Sequence, residues 1–322
     1  MSITSAAVTA PTAVPKMSLK DITTKGRIEG PMRILLYGTA GIGKSTFAAQ
    51  AEEPYFISVE DGSNQLNVAG RSRPKSYPEV LAHLRLLHDE GHPYKTVVID
   101  TVDAIEPMIW EYIVKRDNTP KKPLKTIASY GYGDGFVVAM TEWRKLVVAL
   151  DVLFAKGMNI ILLGHSTVRA HKPPEGEGYD KYELKLHKGA AGYLREWADM
   201  VLFTNYEIHA VKSDARAKAQ GVATGARLLY TSASAVYEAK NRFALPETLN
   251  LSFDDLRMAM KGRDPKAVVS EIKRKAELIA VDEEVNCLAA LDRAAGDITK
   301  LMQLNSWVNS RPQVRAIVTT EE

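Results

Sequence analysis

The residues best suited to chemistry stand early in the chain, at Gly38-Thr39-Ala40-Gly41-Ile42-Gly43-Lys44-Ser45. The run fits G-x-x-x-x-G-K-[ST], a spacing that lets successive backbone N–H groups turn inward around phosphate oxygens. At average composition those four fixed positions coincide in roughly one per cent of chains this long. The stretch Arg33–Gly38 ahead reads as a buried strand and "STFAAQA" behind as a helix, the context that the motif requires. The helix start itself favours anions. On this reading Lys44 holds the β- and γ-phosphates of ATP, and Ser45 ligates Mg²⁺. Gly38, Thr39, Ala40, Gly41, Ile42 and Gly43, with Lys44, Ser45 and the following Thr46, are the candidate nucleotide contacts.

A phosphate loop needs an acid at the end of a second strand for the metal. "VVIDT" supplies Asp100 after an apolar run, at the usual distance and with a helix between. Hydrolysis also needs a group to orient the attacking water. Glu60 ends the strand "FISVED", beside where the loop lies in a parallel sheet; Asp61 and Asp103 are substitutes for that role. Such a residue separates ATPases from nucleoside kinases, which need no water activator. His165 closes the strand "IILLGHS" and faces the same edge, either as a sensor of the γ-phosphate or as a partner for local backbone groups.

These residues require a particular scaffold. "RILLYG", "YFISVED", "KTVVIDT" and "MNIILLGHS" are short apolar strands, and helices such as "YPEVLAHLRLLHDEG" alternate with them. That pattern predicts an α/β fold with a mainly parallel sheet covered on both faces. "ADMVLFTNYEIHAV" and "ARLLYTSASAVYEAKNRF" alternate as antiparallel strands do, adding a hairpin to the sheet. Beyond Leu256 the chain turns helical, and ten basic and ten acidic side chains fall between Lys261 and Glu322. The expected division is a flexible tail over 1–29, an ATPase core over 30–256, and a C-terminal helical appendage over 257–322.

Bulk composition narrows the classes. The 322 residues are 45% hydrophobic and 25% charged, and the formal charge is only +3. Nucleic-acid contact must therefore come from local basic loops, not from a global field. One cysteine, Cys287, rules out an internal disulfide framework and a cysteine-based zinc site. Its usage suits a reducing cytoplasm. The most apolar region is broken by Asp151 and Lys156, and the N-terminus lacks the basic start and apolar core of a signal peptide. No membrane role is expected.

Further motifs make the reading specific. "YGYGDGF", "LLGHSTVRAHKPPEGEGYDKYELKLHK", "WADMVLF" and "AKNRFALP" follow the phosphate loop in that order. Together with "FISVEDG" they resemble phage-encoded RecA-like ATPases, a group of nucleotide-binding or single-strand-annealing recombination proteins. The resemblance covers about residues 30 to 255. It implies a RecA-like core, ATP and Mg²⁺ as cofactors, Glu60 as general base, and the cytoplasm of a bacterial host. His165 stands where bacterial RecA carries a glutamine sensor, so the resemblance implies the ATPase core more firmly than strand exchange.

In this branch a K-x-R pair near the last strands leaves its own subunit to reach a neighbour's γ-phosphate. Lys240 and Arg242 fit that spacing. Two cations at i and i+2 on a strand share a face, and an inserted arginine can raise phosphoryl transfer by about 10³–10⁵. The bland alternative is two surface cations on an edge strand. The role implies self-association, as a ring or a filament.

Two long polar segments are the candidate nucleic-acid loops. Just ahead of and within the first, Asn118–Gly135, "KRDNTPKKPLK" carries five basic residues against one acid, followed by Tyr130 and Tyr132. Ser166–Gly192, read as a long loop, contributes Arg169, Lys172, Lys181, Lys185 and Lys188 with Tyr179 and Tyr182, interleaved by Glu175, Glu177, Asp180 and Glu183. Cations with interspersed aromatics suit sequence-tolerant binding of single-stranded DNA; solvated polar loops are the alternative. Three functions follow: a DNA-stimulated recombination ATPase, a ring-forming helicase-like motor, or a nucleotide-switched interaction protein with little hydrolysis. The C-terminal helices would dock a single-strand-binding protein or another replication or recombination protein.

Overall fold

The strand β1 (Arg33–Gly38) is apolar on both faces. Leu35 and Tyr37 enter one hydrophobic cluster, and Ile34 and Leu36 enter the other. A strand of this kind must be covered on both sides, and that requirement organises the molecule. The structure, a computed structural model, describes residues 18, 23, 30–60, 65–173, 176–211, 220–261, 265–277, 281–294, 298–309 and 311. The expected tail over 1–29, apart from Ser18 and Thr23, lies outside the described residues, as do Asp61 and Glu175.

β1 lies between β5 (Asn159–His171) and β7 (Met200–Val211), parallel to both. Beyond β5 come β4 (Thr96–Asp100), β2 (Pro54–Ser58) and the short β3 (Gly70–Ser72), all parallel. Beyond β7 the sheet reverses. β8 (Gln220–Tyr230) pairs antiparallel with β7, and β10 (Thr248–Asn250) closes that edge. The expected mainly parallel sheet with an antiparallel hairpin is what the chain forms. One face packs on α2 (Tyr77–Asp89), α3 (Val102–Asp117), α4 (Asp134–Ala155) and α5 (Lys188–Trp197), with Trp143 and Tyr77 at its centre. The other face packs on α1 (Lys44–Ala49) and joins residues of α6 (Phe253–Lys261), α7 (Pro265–Ala276), α8 (Val281–Ala294) and α9 (Ile298–Asn309). Cys287 is buried among them. Among the described residues no helix is long and apolar enough to cross a membrane.

Ser166–Gly192 is not the structureless loop expected of it. β5 continues to His171, β6 (Tyr179–Leu184) returns antiparallel, and α5 begins at Lys188. The ladder runs without a break from Ser166↔Leu184 to His171↔Tyr179. It gains from cross-strand pairs, which leave no apolar run to read. The stretch "ARLLYTSASAVYEAKNRF" also differs from a single strand: β8 ends at Tyr230, and only Lys240–Asn241 (β9) returns, beside β7.

Candidate active site

The phosphate loop follows β1 directly, and its shape depends on two glycines. A Cβ at Gly38 would stand 2.2 Å from the Thr204 carbonyl oxygen, so only glycine lets β1 and β7 approach there. Gly43 caps α1 at φ 109°, in the left-handed region that disfavours side chains. Lys44 is only 5% exposed, and its Nζ donates to the carbonyls of Gly38 (3.2 Å) and Thr39 (2.9 Å). Burial lowers its pKa, while the charges of Asp103, Asp100 and Glu60 pull the other way. An ammonium folded onto its own loop, with three acids opposing the effect of burial, is poised for an anion. At the loop's head Thr39 Oγ1 is buried with no hydrogen-bond partner in the chain, a donor left for a ligand. Ile42 is fully buried and anchors the loop, while Ala40, Gly41 and Thr46 remain on its exposed side.

Ser45 Oγ donates to Asp100 Oδ2 at 2.8 Å, across 55 residues of sequence. A hydroxyl and a carboxylate oxygen side by side are the hard-oxygen donors that Mg²⁺ takes. The pair expected to hold the metal is therefore together, and its chemistry fits. Burial raises the Asp100 carboxyl above its ordinary value, and the Ser45 hydrogen bond only partly offsets this. A bound cation would reverse that balance.

Glu60, Asp103 and His165 converge on the same edge, each offering an atom within 4.8 Å of the others. Glu60 Oε1 accepts from Thr101 Oγ1 at 3.1 Å and lies 3.9 Å from His165 Nδ1. Asp103 is differently placed. It accepts both the backbone N–H of His165 and Nδ1, each at 2.9 Å. Burial works against the Asp103 charge, but these bonds outweigh it and hold the carboxyl below its usual range. A side chain 5% exposed and committed twice to His165 cannot also take a proton from water, whereas the Glu60 side chain is 41% exposed. With the carboxylate accepting at Nδ1, the other ring nitrogen of His165 is left for the nucleotide edge. Sequence reasoning missed this clamp, having weighed Asp103 only as a substitute base.

The next turn of α3 extends the connection. Glu106, 6% exposed, accepts the backbone N–H of His187 at 3.0 and 3.1 Å. Burial pushes its carboxyl up to about 7. The His187 ring stacks on Phe136 at 4.2 Å. One helix thus touches the edge residue His165 with one turn and the base of the β5–β6 hairpin with the next.

Lys240 and Arg242 lie far from this edge. β9 pairs Lys240 with Val201 and Asn241 with Met200, at the start of β7 and three to four residues before Thr204. Lys240 Nζ donates to the carbonyls of Arg195 (3.1 Å), Glu196 (2.9 Å) and Ala198 (2.6 Å), which uses all three of its protons to close the end of α5. Burial lowers its pKa, and the Arg242 charge adds to this. β9 ends at Asn241, so the pair does not share a strand face as the spacing suggested. Arg242 stays 58% exposed, with a loose 3.5 Å contact to an Asp199 that Arg33 already holds at 3.1 Å.

In the first basic segment Lys115 pairs with Glu111 and Arg116 with Asp117 and Glu142. Lys122 sits 4.4 Å over the Tyr130 ring, and Lys121 and Lys125 are exposed. Tyr132 is fully exposed at φ 46°, a strained conformation for an aromatic residue. In the second segment Lys181 pairs with Glu238, Arg169 with Glu183, and Tyr182 packs on Phe203. Lys172, Lys185 and Lys188 remain exposed.

A parallel sheet with a phosphate loop after β1, and a hydroxyl–carboxylate pair for a hard cation beside it, defines a P-loop nucleotide-binding protein. The chain belongs to the AAA domain family, whose model matches residues 30–243. Such a domain is a nucleotide-binding ATPase module. No curated protein matches the chain.

Proposed function

We propose that this chain hydrolyses Mg·ATP to ADP and phosphate, that single-stranded DNA stimulates the turnover, and that a neighbouring subunit completes each site. The setting is phage recombination or replication, with annealing or strand pairing as the work performed. The observation that carries hydrolysis is the Ser45–Asp100 contact at 2.8 Å with the solvent-accessible carboxylate of Glu60 beside it. Lys44 and the loop's N–H groups bind and orient the phosphates; Glu60 accepts a proton from the attacking water; His165 reports the γ-phosphate. Mg²⁺, when bound, neutralises charge between the phosphates.

Position supports a trans role for Arg242. Asp199, its partner, is five residues before Thr204, which lies opposite Gly38. Five strand residues span about 16 Å, too far for Arg242 to serve its own loop. Lys240, saturated by α5, instead fixes the turn that carries Arg242's partner.

DNA binding rests on the exposed cations. Phe136, four residues after Tyr132, stacks on His187, next to Lys188, and this contact supports reading the two basic segments as parts of one DNA surface. Glu106 joins that surface to the turn that clamps His165, a route by which DNA and nucleotide could sense each other. Replacing Lys121, Lys122 and Lys125 together with Ala should flatten the slope of log affinity against log salt by up to about 2, at about 0.7 per lost phosphate contact. Tyr132→Ala should weaken binding about tenfold at an unchanged slope, because stacking releases no counterions. Fluorescence anisotropy of an oligonucleotide over a salt series measures both. A triple variant with the wild-type slope would remove this loop from the interface.

A further inference from the structure

The catalytic residues are arranged on one side of β1. Asp100 ends β4, Glu60 lies just past the end of β2, and His165 sits on β5 in register with Gly38, all on the β5 side of the phosphate loop. A nucleotide whose γ-phosphate faces Glu60 has its base and ribose directed the other way, toward β7 and β8. Two side chains wait there. Alternation along β7 places Tyr206 on the face of Met200, Leu202 and Thr204, and the first two of these pack in the cluster that holds Phe47 and Ala48 of α1. Tyr206 lies two residues past Thr204, so it extends that row beyond the loop, and it is 38% exposed.

Directly across the hairpin from Tyr206 is Arg227. Side chains opposite each other in an antiparallel pair share a face and lie about 5 Å apart at Cβ. Arg227 Nη1 donates to the Ile42 carbonyl at 3.2 Å. A Cβ at Gly43 would come 2.7 Å from that nitrogen and 3.6 Å from Leu251, whose N–H bonds the Arg227 carbonyl. The hairpin thus brings an aromatic ring, a guanidinium and an apolar side chain to the outer flank of the phosphate loop.

We propose that Tyr206 and Arg227 form the nucleobase subsite, with the base stacked on the tyrosine ring and the guanidinium against it, and Leu251 as an apolar floor. The proposal rests on the reading of the phosphate loop as the ATP site. Stacking on Tyr and contact with a planar cation tolerate any base with a large π-face. The subsite therefore adds affinity and fixes direction. It places the γ-phosphate at Glu60 because the base is held at the other end.

The test separates base contacts from phosphate contacts. Titration calorimetry with Mg·ATP and with Mg·tripolyphosphate is run on the full chain and on Tyr206→Ala, Tyr206→Phe and Arg227→Ala. Both alanine variants should bind ATP about tenfold more weakly, while tripolyphosphate binds as to wild type. Tyr206→Phe should keep wild-type affinity for both ligands. Unchanged ATP affinity in the alanine variants would overturn the subsite. So would an equal loss for both ligands, which would mean that the hairpin only shapes the loop through Ile42. Wild-type protein that bound neither ligand would overturn the phosphate-loop reading itself, and the subsite with it.

Discussion

Lys44→Ala is expected to abolish ATP turnover, a loss of at least about 10²–10³-fold if its ammonium acts as one preorganised donor to the transferring phosphoryl group. The ammonium is buried and now held by the Gly38 and Thr39 carbonyls, with three acids partly offsetting the effect of burial. Phosphate release measures the effect, and circular dichroism confirms that the variant folds. The same variant tests whether sites are shared. An Arg242→Ala subunit keeps its loop but supplies no finger; a Lys44→Ala subunit keeps the finger but has a dead loop. Each alone should be nearly inactive. Mixed equally and allowed to reassemble, about a quarter of junctions (one half times one half) pair a working loop with a working finger, and activity recovers in part. No recovery despite verified subunit exchange and wild-type assembly would return Arg242 to the role of a surface cation.

Glu60→Gln should bind Mg·ATP with ordinary affinity and turn it over about 10²–10⁴-fold more slowly. The amide preserves shape and can still accept from Thr101 Oγ1, but it cannot take the proton of the attacking water. Asp103→Asn perturbs a different function, because it loosens both hydrogen bonds that orient His165. Binding and turnover measured side by side distinguish the two. Normal turnover in Glu60→Gln with a dead Asp103→Asn would mean that the wrong carboxylate was chosen as base.

The parts that could be read from the chain share a physical cause. "RILLYG" and "VVID" are buried on both faces, and burial demands uninterrupted apolar residues that are visible in any sequence. The phosphate loop is equally visible, because its glycines answer to backbone geometry that only glycine tolerates. The pairing of Ser45 with Asp100 followed from those two elements. The β5–β6 hairpin was not legible. It protrudes from the sheet, and partners such as Arg169↔Lys181 and Thr167↔Glu183 are held by the ladder rather than by burial. Arg227 was invisible for another reason. It comes from 185 residues away and reaches Ile42 only because β8 lies beside β7. Lys240 shows how spacing misleads: the i, i+2 pattern suggested a shared face, but the open carbonyls at the end of α5 captured the lysine.

Phosphate release from Mg·ATP, measured on wild-type protein as single-stranded DNA is titrated, bears most directly on the proposed activity. Turnover should be present, should require Mg²⁺, and should rise to a plateau as the DNA surface fills. A flat response at a measurable basal rate would break the link between the Tyr132 surface and Glu60. Saturable ATP binding with no phosphate release at any DNA concentration would contradict the hydrolytic site altogether and favour a protein switched by nucleotide binding alone.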